Sequence, residues 1–324
     1  MNIPIFLASD ENYAKYMAVT MTSIFTNTEE FIEFYILDGG ITDETKKKFE
    51  ELKSIKQNFS MEFIKVEMSL FENFPTVAHF TASMYSRFLI PDLKPEINKA
   101  IYMDVDVIVN GDIKELFNID LENYPIAATP YLHELEANPK NWCDSIKKII
   151  GLNLSSKYFT SGLLLMDCDY FRKNNLQKIL FETTKEKAEV LLCPDQDVMN
   201  LVFENNYKVL DYRFDIVIDM TSKEYLENAL NDFCILHFAG GKGVRPWLNS
   251  ECLGSQEFWK NAQNTPFYEQ LLNDLSKNDI VKNRKNIRLV LMYRIYKILT
   301  ILTFKKLKYF NKQKTKYSKL IKGY

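Results

Sequence analysis

Short apolar runs alternate with helical patterns along most of the chain. Residues 3–8 form an apolar run, polar residues follow at 9–12, and apolar side chains then recur at helical spacing between 17 and 25. This order predicts a strand, a loop and a helix. Further strand-like runs occupy residues 31–37, 61–66, 99–103, 124–128, 163–167 and 234–238. The alternation favours an α/β fold with a mainly parallel sheet and helices on both faces.

Two further helices and the domain boundaries follow from the same pattern. Thr42 offers N-cap chemistry for a helix through residue 52, and residues 84–90 continue as helix. Neither a Pro/Gly/Ser-rich linker nor a repeat divides the chain before residue 273. We therefore predict one α/β domain over residues 1–273 and a helical, basic appendage over 274–324.

Polar clusters follow three of the predicted strands, at residues 9–12, 104–106 and 237–242. Ligands of open α/β sheets bind beyond the carboxyl ends of the strands. The three clusters are therefore expected to share one crevice.

Charge is distributed unevenly between the body and the tail. The net charge is −2, yet residues 276–324 hold 15 Lys and Arg against one acid, so residues 1–275 carry a net −16. A basic, aromatic tail with apolar residues at helical spacing predicts an amphipathic helix on an anionic membrane surface, or else a helix packed on the body with a solvated basic face. Nucleic acid is not an expected partner, because the body is acidic and the tail has no recognition motif.

The cysteines and the first residues indicate the compartment. Five cysteines are scattered without a C-x-x-C pair, which favours a reducing environment over a disulfide framework or a cysteine zinc site. The first residues lack a basic region and reach Asp10 after too few apolar residues for a signal peptide. We expect a cytoplasmic protein, peripheral on the inner face of a bacterial plasma membrane.

Asp104 and Asp106 are the candidate metal ligands. Two carboxylates one residue apart at the end of an apolar strand repel each other unless a cation lies between them. Oxygen ligands suit Mg²⁺ or Mn²⁺, and the imidazole of His237 would favour Mn²⁺. The alternatives are two solvated loop carboxylates and a hydrogen-bonded core histidine.

A glycine-rich loop follows the last predicted strand. Residues 240–243 could offer backbone N–H groups and the ammonium of Lys242 to a phosphate, with Arg245 as a second cation. Such a loop is also compatible with a simple turn.

Taken together, the motifs over residues 3–247 resemble the retaining glycosyltransferases of family 8, which include glycogenin and the bacterial lipopolysaccharide galactosyl- and glucosyltransferases. Residues 8–13, Ala-Ser-Asp-Glu-Asn-Tyr, are similar to the family's nucleoside-binding A-x-D-x-N-Y. The resemblance implies that Asp10 and Asn12 hold the uridine, while Ala8 and Tyr13 line its site.

The next matching motifs are Arg87 and the acidic pair. Arg87 corresponds to the family arginine beside the donor sugar and diphosphate. Residues 102–106, Tyr-Met-Asp-Val-Asp, match Y-x-D-x-D, in which the carboxylates of Asp104 and Asp106 bind Mn²⁺ and Val105 lies at the donor site.

Two further segments concern the hexose. Residues 158–162, Tyr-Phe-Thr-Ser-Gly, resemble Y-F-N-S-G, so Thr160, Ser161 and Gly162 are expected at the sugar, with Thr in place of the usual Asn. Residues 195–200 match D-Q-D-x-x-N, which assigns Asp195 to the sugar hydroxyls and Gln196 to a position near the anomeric carbon.

The last motif, His-Phe-Ala-Gly at residues 237–240, is similar to the family's H-F-x-G. His237 corresponds to the metal-binding histidine and Gly240 to the diphosphate loop. The path to the following Pro-Trp is longer than usual and Arg245 replaces the family lysine. Both Lys242 and Arg245 are therefore candidates for the diphosphate contact.

The resemblance implies a GT-A fold, Mn²⁺ (or Mg²⁺) and a UDP-sugar donor, UDP-galactose or UDP-glucose. The implied reaction is transfer of the hexose, with retention, to a hydroxyl of a glycan or lipopolysaccharide-type acceptor. Two other classes stay open at this point. One is a catalytically silent UDP-sugar-binding module, and the other is a phosphotransferase with Asp104 as nucleophile.

Overall fold

The strands of the described residues range from two to eight residues in length. The computed structural model describes residues 1–76, 82–131 and 142–278. Within these ranges ten strands are found: β1 Asn2–Ser9, β2 Phe31–Asp38, β3 Phe59–Lys65, β4 Lys99–Met103, β5 Val107–Asn110, β6 Ile126–Ala128, β7 Leu163–Asp167, β8 Lys208–Val209, β9 Ile216–Val217 and β10 Cys234–His237.

Helices connect these strands. The α-helices of the described residues are α1 Ala14–Phe25, α2 Asp43–Glu50, α3 Ile90–Leu93, α4 Lys114–Phe117, α5 Trp142–Ile150, α6 Cys168–Lys173, α7 Leu176–Glu186, α8 Pro194–Val202, α9 Lys223–Ala229, α10 Ser255–Ala262 and α11 Tyr268–Asn278. Short 3-10 helices are found at Glu51–Ser54, Met68–Phe71, Ala82–Leu89, Tyr212–Phe214, Ile218–Met220 and Lys242–Val244.

Seven strands form the central sheet in the order β3-β2-β1-β4-β7-β6-β8. Strands β1, β2, β3 and β4 pair in parallel, β7 is antiparallel to both of its neighbours, and β8 is parallel to β6. The α/β fold and the mainly parallel sheet expected from the sequence are thereby confirmed.

A second sheet contains the last strand expected from the sequence, residues 234–238, for which the pattern gave no partner. Strand β10 pairs antiparallel with β5, and β9 completes a three-stranded sheet of order β5-β10-β9. The segments 107–110 and 216–217 are too short to be recognised as strands from the pattern of apolar residues. The sequence therefore did not predict this sheet. The pairing matters for the site because it places His237 opposite Val107.

Side chains of the inner strands alternate between two hydrophobic cores. In β1, Ile3, Ile5 and Leu7 pack in one core and Phe6 in the other. In β4, Ile101 lies in the first core and Tyr102 in the second. Strands buried on both faces read as continuous apolar runs, which explains the pattern of residues 3–8 and 99–103.

The turn after β2 is held by one carboxylate. Oδ1 of Asp38 accepts the N–H groups of Gly40 at 2.8 Å and Ile41 at 2.7 Å, and Oδ2 pairs with Lys46 at 2.6 Å. The predicted N-cap is confirmed, since Thr42 Oγ1 accepts the N–H of Thr45, although α2 ends at residue 50 and continues as a 3-10 turn. The segment expected as helix at 84–90 is mostly 3-10.

The last described helix crosses the boundary proposed at residue 273. Helix α11 buries Leu271, Leu272 and Leu275 against the domain, and Asp274 pairs with Lys15. The basic tail from residue 279 onward lies outside the described residues, so its membrane role stays a prediction. Within the described part of the chain, every helix is too short or too polar to cross a bilayer.

Candidate active site

A cleft of about 530 Å³ opens beyond the ends of β1 and β4. Its walls include the loop after β1, the β4–β5 turn and the loop after β10, so the structure brings the three polar clusters together. The sequence-predicted site residues that line it are Ala8, Asp10, Tyr13, Arg87, Asp104, Val105, Asp106, Thr160, Ser161, Gly162, Asp195, Gln196, His237, Gly240 and Arg245. Two others, Asn12 and Lys242, have exposed side chains outside this lining.

Asp104, Asp106 and His237 form a cluster in this cleft. Each offers a ligand atom within 4.8 Å of the others. Nε2 of His237 is 3.4 Å from Asp106 Oδ1 and 3.8 Å from Asp104 Oδ2. The acids follow β4 and precede β5, and the antiparallel pairing of β10 with β5 brings the imidazole beside them.

The backbone at Gly162 leaves room for this cluster. A Cβ at position 162 would lie 2.2 Å from His237 Cε1 and 2.9 Å from Asp104 Oδ2. The carbonyl of Gly162 also accepts the N–H of Asp104 at 2.8 Å. Only glycine therefore permits the imidazole and the carboxylate to approach this strand end.

The other ring nitrogen of His237 faces a carboxylate that the sequence analysis missed. Asp215 is fully buried, and its Oδ1 is 2.9 Å from His237 Nδ1. The signal in the sequence was one acid between apolar residues, Phe214 and Ile216, where a charge needs a partner.

Negatively charged carboxylates surround the imidazole of His237. Burial acts to lower the pKa of His237, but Asp215 and Asp106 outweigh it and hold the pKa well above the ordinary value. Burial acts to raise the pKa of Asp106, yet His237 and Arg245 lower it overall. Because imidazole ligates a metal only in its neutral form, binding of a cation here would release the histidine proton.

Arg87 lies between the acidic cluster and α8. Its guanidinium is 3.0 Å from Asp104 Oδ1 and 3.1 Å from Asp195 Oδ2, and it donates to the carbonyl of Ser161 at 2.7 Å. It also covers the ring of Tyr102, 4.3 Å from the centroid. Burial raises the pKa of Asp195, and the charge of Arg87 opposes that shift. These contacts fix Asp195 and Asp104 in one network.

Gln196 is held by protein partners on both ends of its amide. Oε1 accepts the N–H of Ser161 at 3.1 Å, and Nε2 donates to Tyr158 OH at 3.0 Å. Tyr158 in turn donates to Asp197, and Tyr131 lies 3.4 Å from the same amide. Tyr131 also lines the cleft and was missed by the sequence analysis because no recognised motif includes it.

In the loop after β1, which also lines the cleft, Asp10 Oδ1 accepts the N–H of Tyr13 at 3.1 Å. Arg245 Nη1 lies 3.4 Å from Tyr13 OH, while its buried Nε has no hydrogen-bond partner among the described residues. The neighbouring Trp247 stacks on Tyr16, with centroids 4.2 Å apart. Arg245 thus lines the cleft two residues before this aromatic pair, and its Nε–H has no acceptor among the described residues.

The mainly parallel α/β sheet with a cleft beyond its strand ends agrees with the GT-A fold expected from the sequence. A sequence model of glycosyl transferase family 8 matches residues 4–251. The chain belongs to this family.

Individual proteins agree with this membership. A putative glycosyltransferase of Haemophilus influenzae is 33% identical over 240 residues, 73% of this chain and 71% of its own length. A lipopolysaccharide 1,3-galactosyltransferase of Salmonella typhimurium is 23% identical and covers 84% of this chain and 81% of its own. The crystal structure of the galactosyltransferase LgtC, in complex with donor and acceptor sugar analogs, superposes with a TM-score of 0.68 at 23% identity, covering 82% of this chain and 96% of that one.

Proposed function

We propose that this chain transfers a hexose, galactose or glucose, from a UDP-sugar to a hydroxyl of a glycan or lipopolysaccharide-type acceptor, with retention of configuration. The observation that carries this proposal is the cluster of Asp104, Asp106 and His237 in a cleft that also holds two arginines. A nucleoside diphosphate is the anionic ligand that such a combination of metal ligands and cations recognises.

The donor set fits Mn²⁺, with Mg²⁺ as the alternative. Two carboxylates and an imidazole supply hard oxygens and one nitrogen, and the close approach permitted by Gly162 keeps the three groups together. When bound, the cation would neutralise charge on the diphosphate leaving group.

The two arginines have different tasks in this proposal. Arg245 lines the cleft and its Nε–H has no hydrogen-bond partner among the described residues, whereas Lys242 is exposed and lies outside the lining, so Arg245 is the candidate for the phosphate contact. Arg87 is already paired with Asp104 and Asp195, so it orients these acids and adds positive charge near the donor sugar. Fixed positive groups stabilise the charge that develops on UDP as its bond to the sugar breaks.

The residues near the expected anomeric carbon favour a front-face reaction. Retention requires attack from the face that the leaving group occupies, either through a covalent intermediate or directly. Gln196 is a weak nucleophile whose amide oxygen is held by Ser161, and Asp195 is held in an ion pair with Arg87. We assign both residues to positioning and electrostatic roles, and the leaving phosphate takes the proton of the acceptor hydroxyl.

The test is a UDP-release assay with UDP-galactose and UDP-glucose in Mn²⁺. We expect Asp106→Ala and His237→Ala each to abolish metal-dependent turnover, because each removes one ligand of the cluster. Asp43→Ala is the matched control, since it removes an exposed acid on α2, away from the cleft. Wild-type turnover of either cluster variant would refute the metal site.

The same assay separates the other function classes. Slow hydrolysis of the UDP-sugar without acceptor indicates a transferase. Turnover of simple phosphate esters would instead indicate a phosphotransferase, and binding of the UDP-sugar without turnover a silent module.

A further inference from the structure

Asp215 contacts His237 from behind, as seen from the cleft. Its Oδ1 is 2.9 Å from Nδ1 of the imidazole, while Nε2 is the ring nitrogen near Asp104 and Asp106. Asp215 is fully buried and does not belong to the cleft lining. Among the three residues of the cluster, it contacts only the imidazole.

The second oxygen of Asp215 is also engaged. Oδ2 accepts a hydrogen bond from Thr160 Oγ1 at 3.0 Å, and the same hydroxyl oxygen accepts the N–H of Gly162 at 3.1 Å. The hydroxyl of Thr160 is thus used inside the protein. Thr160, Asp215 and His237 form a chain of hydrogen bonds that begins at the backbone of Gly162.

The imidazole is restrained from three sides. Asp215 holds Nδ1, the backbone of Gly162 lies against the ring, and β10 is fixed to β5 with His237 opposite Val107. A carboxylate hydrogen-bonded to one ring nitrogen leaves the other nitrogen free as a ligand and strengthens it as a donor. The direction that remains for Nε2 is toward the two acids.

We propose that Asp215 is a positioning residue that presents Nε2 of His237 to the metal and thereby makes the cluster selective for Mn²⁺ over Mg²⁺. The inference rests on the metal site of the proposed function. Mg²⁺ prefers oxygen ligands, so the imidazole nitrogen is the member of this donor set that discriminates between the two ions. A displaced or weakened imidazole leaves two carboxylates, which bind both ions as oxygen ligands.

The experiment measures Mn²⁺ binding to the full chain by electron paramagnetic resonance of free Mn²⁺, and Mg²⁺ binding by competition. Asp215→Asn keeps a hydrogen-bond acceptor and loses the charge, whereas Asp215→Leu loses both. We expect Mn²⁺ affinity to fall roughly 10- to 100-fold in the Asn variant, the range found when such supporting residues are changed, and further in the Leu variant. Mg²⁺ affinity changes less, so the Mn²⁺ to Mg²⁺ ratio falls.

Two further variants control for folding. Thr160→Val removes the hydrogen bond to Asp215 with little change in shape, and it should lower Mn²⁺ affinity less than Asp215→Asn. Asp38→Asn changes another buried carboxylate, which does not line the cleft and has no contact with the three cluster residues, and it should leave Mn²⁺ affinity unchanged. Thermal unfolding shows which variants are folded.

The outcomes are distinct. If His237→Ala loses Mn²⁺ but the two Asp215 variants keep wild-type affinity and the wild-type ion ratio, Asp215 does not position the imidazole and only this inference fails. If the Asp215 variants do not fold, unchanged Mn²⁺ binding by Thr160→Val overturns it. If the wild-type chain binds no Mn²⁺, the metal site and this inference fail together.

Discussion

Replacing Gly162 with alanine tests how tightly the cluster is packed. The added Cβ would lie 2.2 Å from His237 Cε1, whereas carbon atoms in ordinary contact are about 3.5–4.0 Å apart. The imidazole or the strand end must therefore shift by roughly 1 Å or more, while metal–ligand distances usually lie within about 0.2 Å of their standard values. The backbone angle at Gly162 is open to alanine, so the effect is steric and confined to the site.

The magnitude follows from these distances. Overpacking of a tight interior costs about 1–3 kcal/mol, and each kcal/mol lowers the melting temperature of a domain of this size by about 2–4 °C. A displacement of about 1 Å at a catalytic group costs on the order of 100-fold in rate. We expect the Gly162→Ala protein to fold and its melting temperature to be a few degrees lower than that of the wild type. Its Mn²⁺-dependent turnover should fall by at least about 100-fold.

The assays are thermal unfolding, Mn²⁺ binding by electron paramagnetic resonance, and UDP release. Gly243→Ala is the matched control, because no atom lies within 4 Å of the Cβ that it adds and its backbone does not require glycine. The control should behave as wild type in thermal unfolding and in Mn²⁺ binding, because Gly243 has no contact with the three cluster residues. A Gly162→Ala protein with wild-type Mn²⁺ affinity and turnover would refute the close packing that underlies the proposed cluster.

Three other predictions follow from the structure. Arg245→Ala should weaken UDP binding at least 10-fold by isothermal titration calorimetry and Lys242→Ala should change it little, since only Arg245 lines the cleft; the reverse order would contradict the assignment. Burial opposes ionisation of Asp38, but its backbone N–H and lysine partners hold its pKa below the ordinary value. The contribution of the ionised Asp38 to the free energy of unfolding is therefore complete above about pH 4, and it is lost as the pH falls through the lower pKa of the folded state. Thermal melts of Asp38→Asn and wild type should therefore differ most near neutral pH and converge in acid, and a constant difference would exclude this linkage. A chain that ends at residue 278, after α11, should lose flotation with anionic liposomes if residues 279–324 bind the membrane surface, whereas equal flotation would show that they do not.

Much of the fold could be predicted because it depends on local pattern. The inner strands are buried on both faces, so residues 3–8, 100–103 and 163–166 are continuously apolar and differ from a helical spacing of apolar residues. The second sheet could not be predicted, because strands of two to four residues carry too little pattern. Its existence depends on the long-range pairing of β10 with β5.

The site residues that belong to short sequence motifs could be predicted from the sequence. Asp104 and Asp106 end an apolar strand, and Asp195 and Gln196 begin a helix, so each pair is visible in the sequence. The sequence motifs did not reveal that Asn12 and Lys242 are exposed outside the cleft lining, because the exposure of a side chain depends on how distant segments pack. The buried Asp215 was missed for the same reason.

The sequence alone determined the order of strands and helices, the acidic pair at a strand end and the family resemblance, because these depend on the spacing of neighbouring residues. Only the tertiary structure decided that His237, 131 residues beyond Asp106, meets the two acids and that Asp215 holds its other nitrogen. The physical reason is that such contacts arise when separate segments pack against one core. Their geometry is set by the pairing of distant strands and by the absence of a side chain at Gly162. Neither can be inferred from the spacing of apolar residues along the chain.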